Sequence, residues 1–273
     1  MVTGAAGRIG SYFAQNHDTS RFDLRLMVRR EDDPESIEAL RPCGEVITGD
    51  LGDLEGLKAS FKDADTIVHL AADPSPSAVW SSVIENNITG TYHVFAAAKA
   101  AGCRRVIYAS SIHAVSGYPT DVQVKTNEPV NPGDLYGVSK CFGEAMARYM
   151  AEQEGVSAIC IRIGAFQPLE KARDESSLPM LDAFVSHRDL HQLIEKCIAA
   201  PEALRFAIFH GLSDNRFKRL DISDARTLVG YEPQDDFTEE NPALRNLHLS
   251  EKASGHNLSD EGQKSGLREE VGV

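Results

Sequence analysis

Directly after the strand-like pair Val2-Thr3 comes Gly4-Ala5-Ala6-Gly7-Arg8-Ile9-Gly10, with a helix-like stretch behind it. A GxxGxxG loop between strand and helix restricts the fold sharply, because each glycine has a task. Gly4 permits the tight turn, Gly7 lets backbone N–H groups approach a pyrophosphate at the helix N-terminus, and Gly10 lets the helix pack close to the strand. Arg8 and Ile9 lie between the last two glycines and so border the same phosphate groups. Alone, the spacing also fits a plain turn before a tightly packed helix, so its surroundings decide. The chain begins almost on top of the loop. That leaves about three residues for a first strand where roughly five or six are usual, and reads as a truncated or mis-assigned start.

The surroundings are those of an α/β chain. Strand-like runs at Met1 to Thr3, Leu24 to Val28, Glu45 to Thr48, Thr66 to Leu70, Arg105 to Ser110, Ala158 to Ile163 and Phe206 to Phe209 are mostly apolar on both faces. Strands covered on both sides require this. Helical periodicity is clearest over Val83 to Ala100, Tyr136 to Glu154 and His187 to Ala199. Such alternation predicts a doubly wound parallel sheet covered by helices. Residues 1–200 are expected to form this dinucleotide-binding domain, 201–248 a small C-terminal substrate-side segment packed on it, and 249–273 a polar, frayed tail.

Charge and cysteine usage exclude several classes. Twenty-eight Lys and Arg against forty-one Asp and Glu leave a formal charge of −13, which repels nucleic-acid backbones and anionic lipid. No apolar run approaches the roughly 18 to 20 residues of a membrane span, and no signal peptide opens the chain. The expected location is cytoplasmic. Cys43, Cys103, Cys141, Cys160 and Cys197 are scattered, with no CxxC or Cys/His cluster, and read as small buried hydrophobes rather than disulfide partners or metal ligands.

The ends of the strands carry the candidate cofactor contacts. An acidic residue after the second strand normally accepts from the adenosine ribose and selects NAD, but here the run is Leu26-Met27-Val28-Arg29-Arg30. Either Arg29 reads the 2′-phosphate of NADP through charge-assisted hydrogen bonds, or the arginines are solvated and Glu31 or Asp32 reaches the ribose. Asp50 and Leu51 follow the third strand, where a carboxylate can meet the adenine amino group; capping a helix is the plainer role for Asp50. Leu70, Ala71 and Ala72 follow the fourth strand and are small enough for a cofactor to pass close to backbone.

Tyr136-Gly137-Val138-Ser139-Lys140 is the strongest chemical signal. At i and i+4 the phenol and the ammonium share a helix face, and a nearby cation favours phenolate, making Tyr136 a base near neutral pH. Lys140 would also hold the nicotinamide ribose. Ala109-Ser110-Ser111 ends a strand at the same edge of the sheet as the glycine loop, and a Ser111 hydroxyl there can hydrogen-bond the reacting oxygen.

Together TGAAGRIG, LAA, Asn86-Asn87-Ile88-Thr89-Gly90-Thr91, ASS and YGVSK resemble the extended short-chain dehydrogenase/reductase family over roughly residues 1–235. The resemblance implies a Rossmann fold binding NAD or NADP, with Ser111, Tyr136 and Lys140 as catalytic triad and Asn87 supporting the cofactor region. Within the family, LYGVSKCFGE, the IRIG that contains Ile163, and Ser186-His187-Arg188-Asp189 are most similar to uronate dehydrogenases and the sugar dehydrogenases of halophiles. These oxidise C1 of a cyclic sugar to a lactone. The resemblance therefore implies a sugar or sugar-acid substrate, with Ile163 beside the cofactor.

Departures concern the substrate. The uronate enzymes have SSNH and RIGS where this chain has Ser110-Ser111-Ile112-His113 and Arg162-Ile163-Gly164-Ala165. Their carboxylate-binding arginine lies in the following loop, here Gln167 to Pro179, where Arg173 either clamps an acid or is simply solvated. His113 either donates to a sugar hydroxyl or is a structural histidine, Ser75 and Ser77 lie in a loop at the substrate edge, and His69 belongs to the core. A nucleotide-sugar epimerase or dehydratase shares loop and triad but normally has a larger C-terminal domain. A dinucleotide sensor without turnover has no need of the triad. Family dimers use the two long helices, although the same apolar faces fit burial within one subunit.

Overall fold

The computed structural model describes residues 1–245; the expected tail, and the last residues of the expected C-terminal segment, lie outside them. The first half alternates β1 (Val2–Thr3), α1 (Arg8–Asn16), β2 (Arg25–Val28), α2 (Pro34–Leu40), β3 (Glu45–Thr48), α3 (Leu54–Ser60) and β4 (Thr66–His69). A helical turn α4 (Trp80–Ser82) then leads through a wide π-helical stretch, Val83–Thr89, into α5 (Gly90–Ala100) and β5 (Arg105–Ser111). The second half continues with α6 (Leu135–Glu152), β6 (Ser157–Ile163), β7 (Ala165–Gln167), α7 (Leu169–Ala172), β8 (Phe184–Ser186), α8 (His187–Ile198) and β9 (Phe206–Gly211). Three short helices, α9 (Ser223–Val229), α10 (Phe237–Glu240) and α11 (Pro242–Arg245), complete the described residues.

All seven strands of the main sheet are parallel, in the order β3-β2-β1-β4-β5-β6-β9. The order reverses between β1 and β4, which opens a crevice at the C-terminal ends of the central strands. This is the Rossmann-like arrangement that the sequence implied. β4, β5 and β6 are buried along their length, whereas edge strand β3 is half exposed. Helices α1 and α8 cover one face through Phe13, Leu190 and Ile194, and α5 and α6 cover the other through Phe95, Ala98, Ala147 and Met150. Leaving a buried Phe, Leu, Ile or Met side chain in water costs roughly 1.5–3 kcal/mol, so the two apolar layers dominate folding.

Three differences from the sequence reading have local causes. β9 lies within the segment placed after residue 200, yet it is hydrogen-bonded to β6 as the seventh strand of the sheet. β7 leads into the loop read as Gln167 to Pro179, sharing Gln167 with it, and pairs in parallel with β8 from Ala165↔Phe184 to Gln167↔Ser186. Strands of three residues are too short to show a period. Cys103, Cys160 and Cys197 are buried as expected, but Cys43 and Cys141 are only partly so; all five are free thiols.

Candidate active site

A cleft of about 650 Å³ runs along the strand ends at the β1/β4 reversal. Gly4, Gly7, Arg8, Ile9 and Gly10 line its middle. Gly4 has φ +69°, and a Cβ there would sit 2.8 Å from the Ala71 nitrogen, so conformation and space both demand glycine. A Cβ at Gly10 would fall 2.3 Å from the Gly4 oxygen, the close helix–strand contact expected of the third glycine. Helix α1 has Gly7 as its N-cap with no side-chain cap, leaving its first N–H groups open to a ligand. These features fit the pyrophosphate of a dinucleotide.

At one end of the cleft stand Val28, Arg29, Asp32, Asp50 and Leu51. Arg29 is tied down: its Nη2 and Nε lie 3.0 and 3.2 Å from Asp32 Oδ1, and its backbone N–H donates to Asp32 Oδ2 at 2.8 Å. Of the three candidate ribose-end residues, Arg29 and Asp32 line the cleft as one ion pair, and Glu31 is outside the lining. Asp50 does not cap a helix. Its Oδ1 accepts from Gly52 N–H at 2.8 Å, and Asp53 caps α3 by accepting from Gly56. Leu70, Ala71 and Ala72 line the cleft beside the glycine loop.

Ser111, Tyr136, Lys140, His113 and Ile163 meet at the other end. β5 delivers Ser111 and α6 delivers the tyrosine and lysine. The helix approaches closely because of Gly137, where a Cβ would lie 2.3 Å from the His113 oxygen. Asp134 fixes the entry twice over, accepting from Gly137 N–H at 2.7 Å as N-cap and holding His113 Nδ1 at 2.6 Å. The carboxylate orients the imidazole and leaves its Nε2 for the cleft. Lys140 is buried, donates to the Ala109 oxygen at 2.8 Å, and is pushed down to about 8 by loss of solvent.

The expected depression of Tyr136 by Lys140 is not what the protein shows. Burial raises the phenol pKa, the Ser111 hydrogen bond lowers it by less, and the Asp134 and Asp73 carboxylates add to the rise. Desolvation opposes phenolate more strongly than spacing along a helix suggested. An oxidised nicotinamide held in the cleft would bring positive charge, which favours the phenolate.

Other expected site residues stand away from the cleft wall. Arg173 is a correction: its side chain is 59% exposed and its Nε donates to Glu240 Oε2 at 2.8 Å, outside the cleft lining. Ser75 also misses the lining, since its Oγ is shared with Ser77 Oγ at 2.9 Å, and Pro74 lines the cleft instead. Asn87 is buried behind the wall. Its amide nitrogen donates to the Asp73 oxygen and Ser139 Oγ, each at 3.0 Å, and its oxygen accepts from Asp73 N–H, tying the loop to α6. His69 is a core histidine, bonded to Thr3 Oγ1 at 2.8 Å and pushed down to about 3, chiefly by burial.

Two features escaped the sequence reading. Arg8 reaches across the cleft to the Phe166 oxygen at 2.9 Å and Gln167 Oε1 at 3.1 Å, joining the phosphate loop to β7. Beneath Ser111 runs a buried polar row. Ser110, Arg162 and His210 are in register across β5, β6 and β9, and Glu144 of α6 closes over them. Glu144 accepts from Ser110 Oγ at 2.6 Å and from Arg162 Nε and Nη2, each at 2.8 Å. An arginine inside the apolar run Ile161-Arg162-Ile163 was the available signal, because a buried guanidinium must find acceptors, here the Glu144 carboxylate.

Fold and cleft together define a nicotinamide-dependent oxidoreductase of Rossmann type. The chain belongs to the NAD dependent epimerase/dehydratase family, whose profile matches residues 1–168. It is similar to the NAD-dependent glucose-6-phosphate dehydrogenase of Haloferax volcanii, 34% identical over 88% of this chain and 94% of that protein. It is also similar to the uronate dehydrogenase of Pseudomonas putida, 34% identical over 86% of this chain and 83% of that protein. The crystal structure of uronate dehydrogenase from Agrobacterium tumefaciens superposes with a TM-score of 0.75 at 32% identity, covering 95% of this chain and 91% of that one. UDP-glucose 4-epimerases match more distantly.

Proposed function

We propose that the protein oxidises C1 of a cyclic sugar or sugar acid to the lactone, using NAD or NADP, in the cytoplasm. The observation that carries this reading is the convergence of Ser111, Tyr136 and Lys140 at one end of a cleft whose middle is an uncapped helix N-terminus. When bound there, the nicotinamide supplies the acceptor for the hydride leaving C1. Tyr136, as phenolate, takes the proton of the anomeric hydroxyl, and Ser111 donates to the same oxygen. Lys140 holds the nicotinamide ribose. His113, oriented by Asp134, donates to a second sugar hydroxyl. The exposed apolar residues Ile84, Tyr92, Val138 and Tyr149 on the two long helical segments support self-association.

The test is formation of reduced nicotinamide by purified protein, with NAD or NADP, against glucuronate, galacturonate, glucose, glucose 6-phosphate and pentoses. Turnover of one or more is expected. Silence across the panel, with dinucleotide binding confirmed separately, would overturn C1 oxidation and turn attention to nucleotide sugars. With Arg173 held by Glu240, the acidic members of the panel gain no guanidinium from that loop.

Cofactor choice has its own check. Asp32 neutralises Arg29 and adds a carboxylate where NADP carries a phosphate. Asp32→Ala is expected to raise the NADP/NAD ratio of kcat/KM about tenfold, the worth of roughly one charge-assisted hydrogen bond. An unchanged ratio would remove Arg29 from cofactor selection.

A further inference from the structure

Lys140 is a buried cation without a counter-ion. Among the described residues no carboxylate pairs with it, and its one hydrogen bond is to the Ala109 oxygen. What flanks the ammonium is aromatic: Nζ lies 5.2 Å from the centre of the Tyr108 ring and 5.4 Å from that of Tyr136. A cation within about 6 Å of an aromatic centroid is attracted by the negative face of the ring, most strongly where water is excluded.

The Tyr108 ring has been given room. A Cβ on residue 143 would fall 2.1 Å from the Tyr108 Cζ and Oη, so Gly143 lets α6 close down on the ring one turn after Lys140. Phe95 and His69 wedge the ring from its other sides, with centroids at 6.2 and 5.9 Å. Burial raises the Tyr108 phenol well above its ordinary value, so it offers Lys140 a neutral ring and not a phenolate.

We propose that Tyr108 is a positioning residue for the reacting end of the cleft: its ring face seats the Lys140 ammonium in place of a carboxylate. The charged or titratable groups around Lys140 leave that task to the ring. On β4, His69 is driven neutral by burial and by Lys140 itself. On α6, Glu144 is committed to Arg162 and Ser110, and Tyr136 supplies the second ring. On β5, Ser110 donates to Glu144 and Ser111 is hydrogen-bonded with Tyr136. A ring holds the charge without quenching it, as a carboxylate would, so the Lys140 ammonium stays available to the ribose.

The inference rests on the proposed role of Lys140, and two readouts separate them. In full-length protein bearing Tyr108→Phe, and then tri- and pentafluorophenylalanine at the same position, shape is kept while the negative ring face is progressively removed. The titration of Lys140 is followed by the NMR shift of 13Cε-labelled lysine, assigned by loss of the signal in Lys140→Met. The midpoint is expected to stay near that of the native protein, about 8, in Tyr108→Phe. It should fall by about one pH unit across the fluorinated series. A flat series overturns the seat. The alkaline limb of the turnover profile should fall with the midpoint. A limb that stays while the midpoint falls leaves the seat standing and sinks the assignment of Lys140 to the reaction.

Discussion

Tyr136→Phe is expected to bind NAD with near-native affinity and to lose turnover by about a hundred- to ten-thousand-fold, the usual worth of a positioned acid or base. Only the hydroxyl is removed. The ring remains to meet His113 edge-on at 5.4 Å and to face Lys140, and the close approach at Gly137 is backbone, so the fold and cleft are preserved. Burial and two nearby carboxylates hold the phenol above its ordinary pKa, so in the native protein phenolate forms only as pH rises or as positive charge enters the site. The rate of sugar oxidation should therefore climb with pH on the acid side of the profile, and Tyr136→Phe should flatten that climb. Steady-state rates across pH, with NAD binding by fluorescence, test both. A variant within a few-fold of native activity would remove Tyr136 as the base.

Chemistry carried by short contiguous segments was legible in the sequence. The glycine loop and Tyr136-Gly137-Val138-Ser139-Lys140 depend on spacing within one turn or one helix, and the structure brings both to the same cleft. The long parallel strands were legible for the same reason, since burial on both faces forces continuous apolar runs such as Val106 to Ala109 within β5. What stayed hidden depends on partners remote in sequence. Nothing near Arg173 announces Glu240, and no periodicity reveals that Ser110, Arg162 and His210 form one row until strand order is known. Asp50 and Asp53 offer nearly the same capping signal three residues apart, and only the turn through Gly52 decides between them. The π-helical Val83–Thr89 has a helical apolar pattern but a wider turn, which local spacing cannot distinguish.

The buried row supplies the second large effect. Glu144 and Arg162 are 4% and 1% exposed, and the carboxylate takes two guanidinium N–H bonds as well as the Ser110 hydroxyl. On the far side, Arg162 Nη1 stands 3.5 Å from His210 Nε2. A guanidinium only donates, so that nitrogen must be unprotonated; burial accordingly pushes His210 down to about 4, and its Nδ1 bonds to the Asp221 oxygen at 2.8 Å. The row has no spare acceptor. Glu144→Ala leaves a cation in the core with only a neutral imidazole beside it, and deprives Ser110 of its partner immediately before Ser111. Losing one member of a buried pair costs about 3–5 kcal/mol, so the urea midpoint should fall accordingly. Removing both charges, as Glu144→Leu with Arg162→Met, should recover most of that loss, because a packed apolar pair carries no desolvation penalty. Turnover should not return with stability, since the double variant still leaves Ser110 without its acceptor below the reacting serine. A Glu144→Ala protein less than about 1 kcal/mol weaker than native would show that water reaches Arg162 and that the row does not brace the strand end.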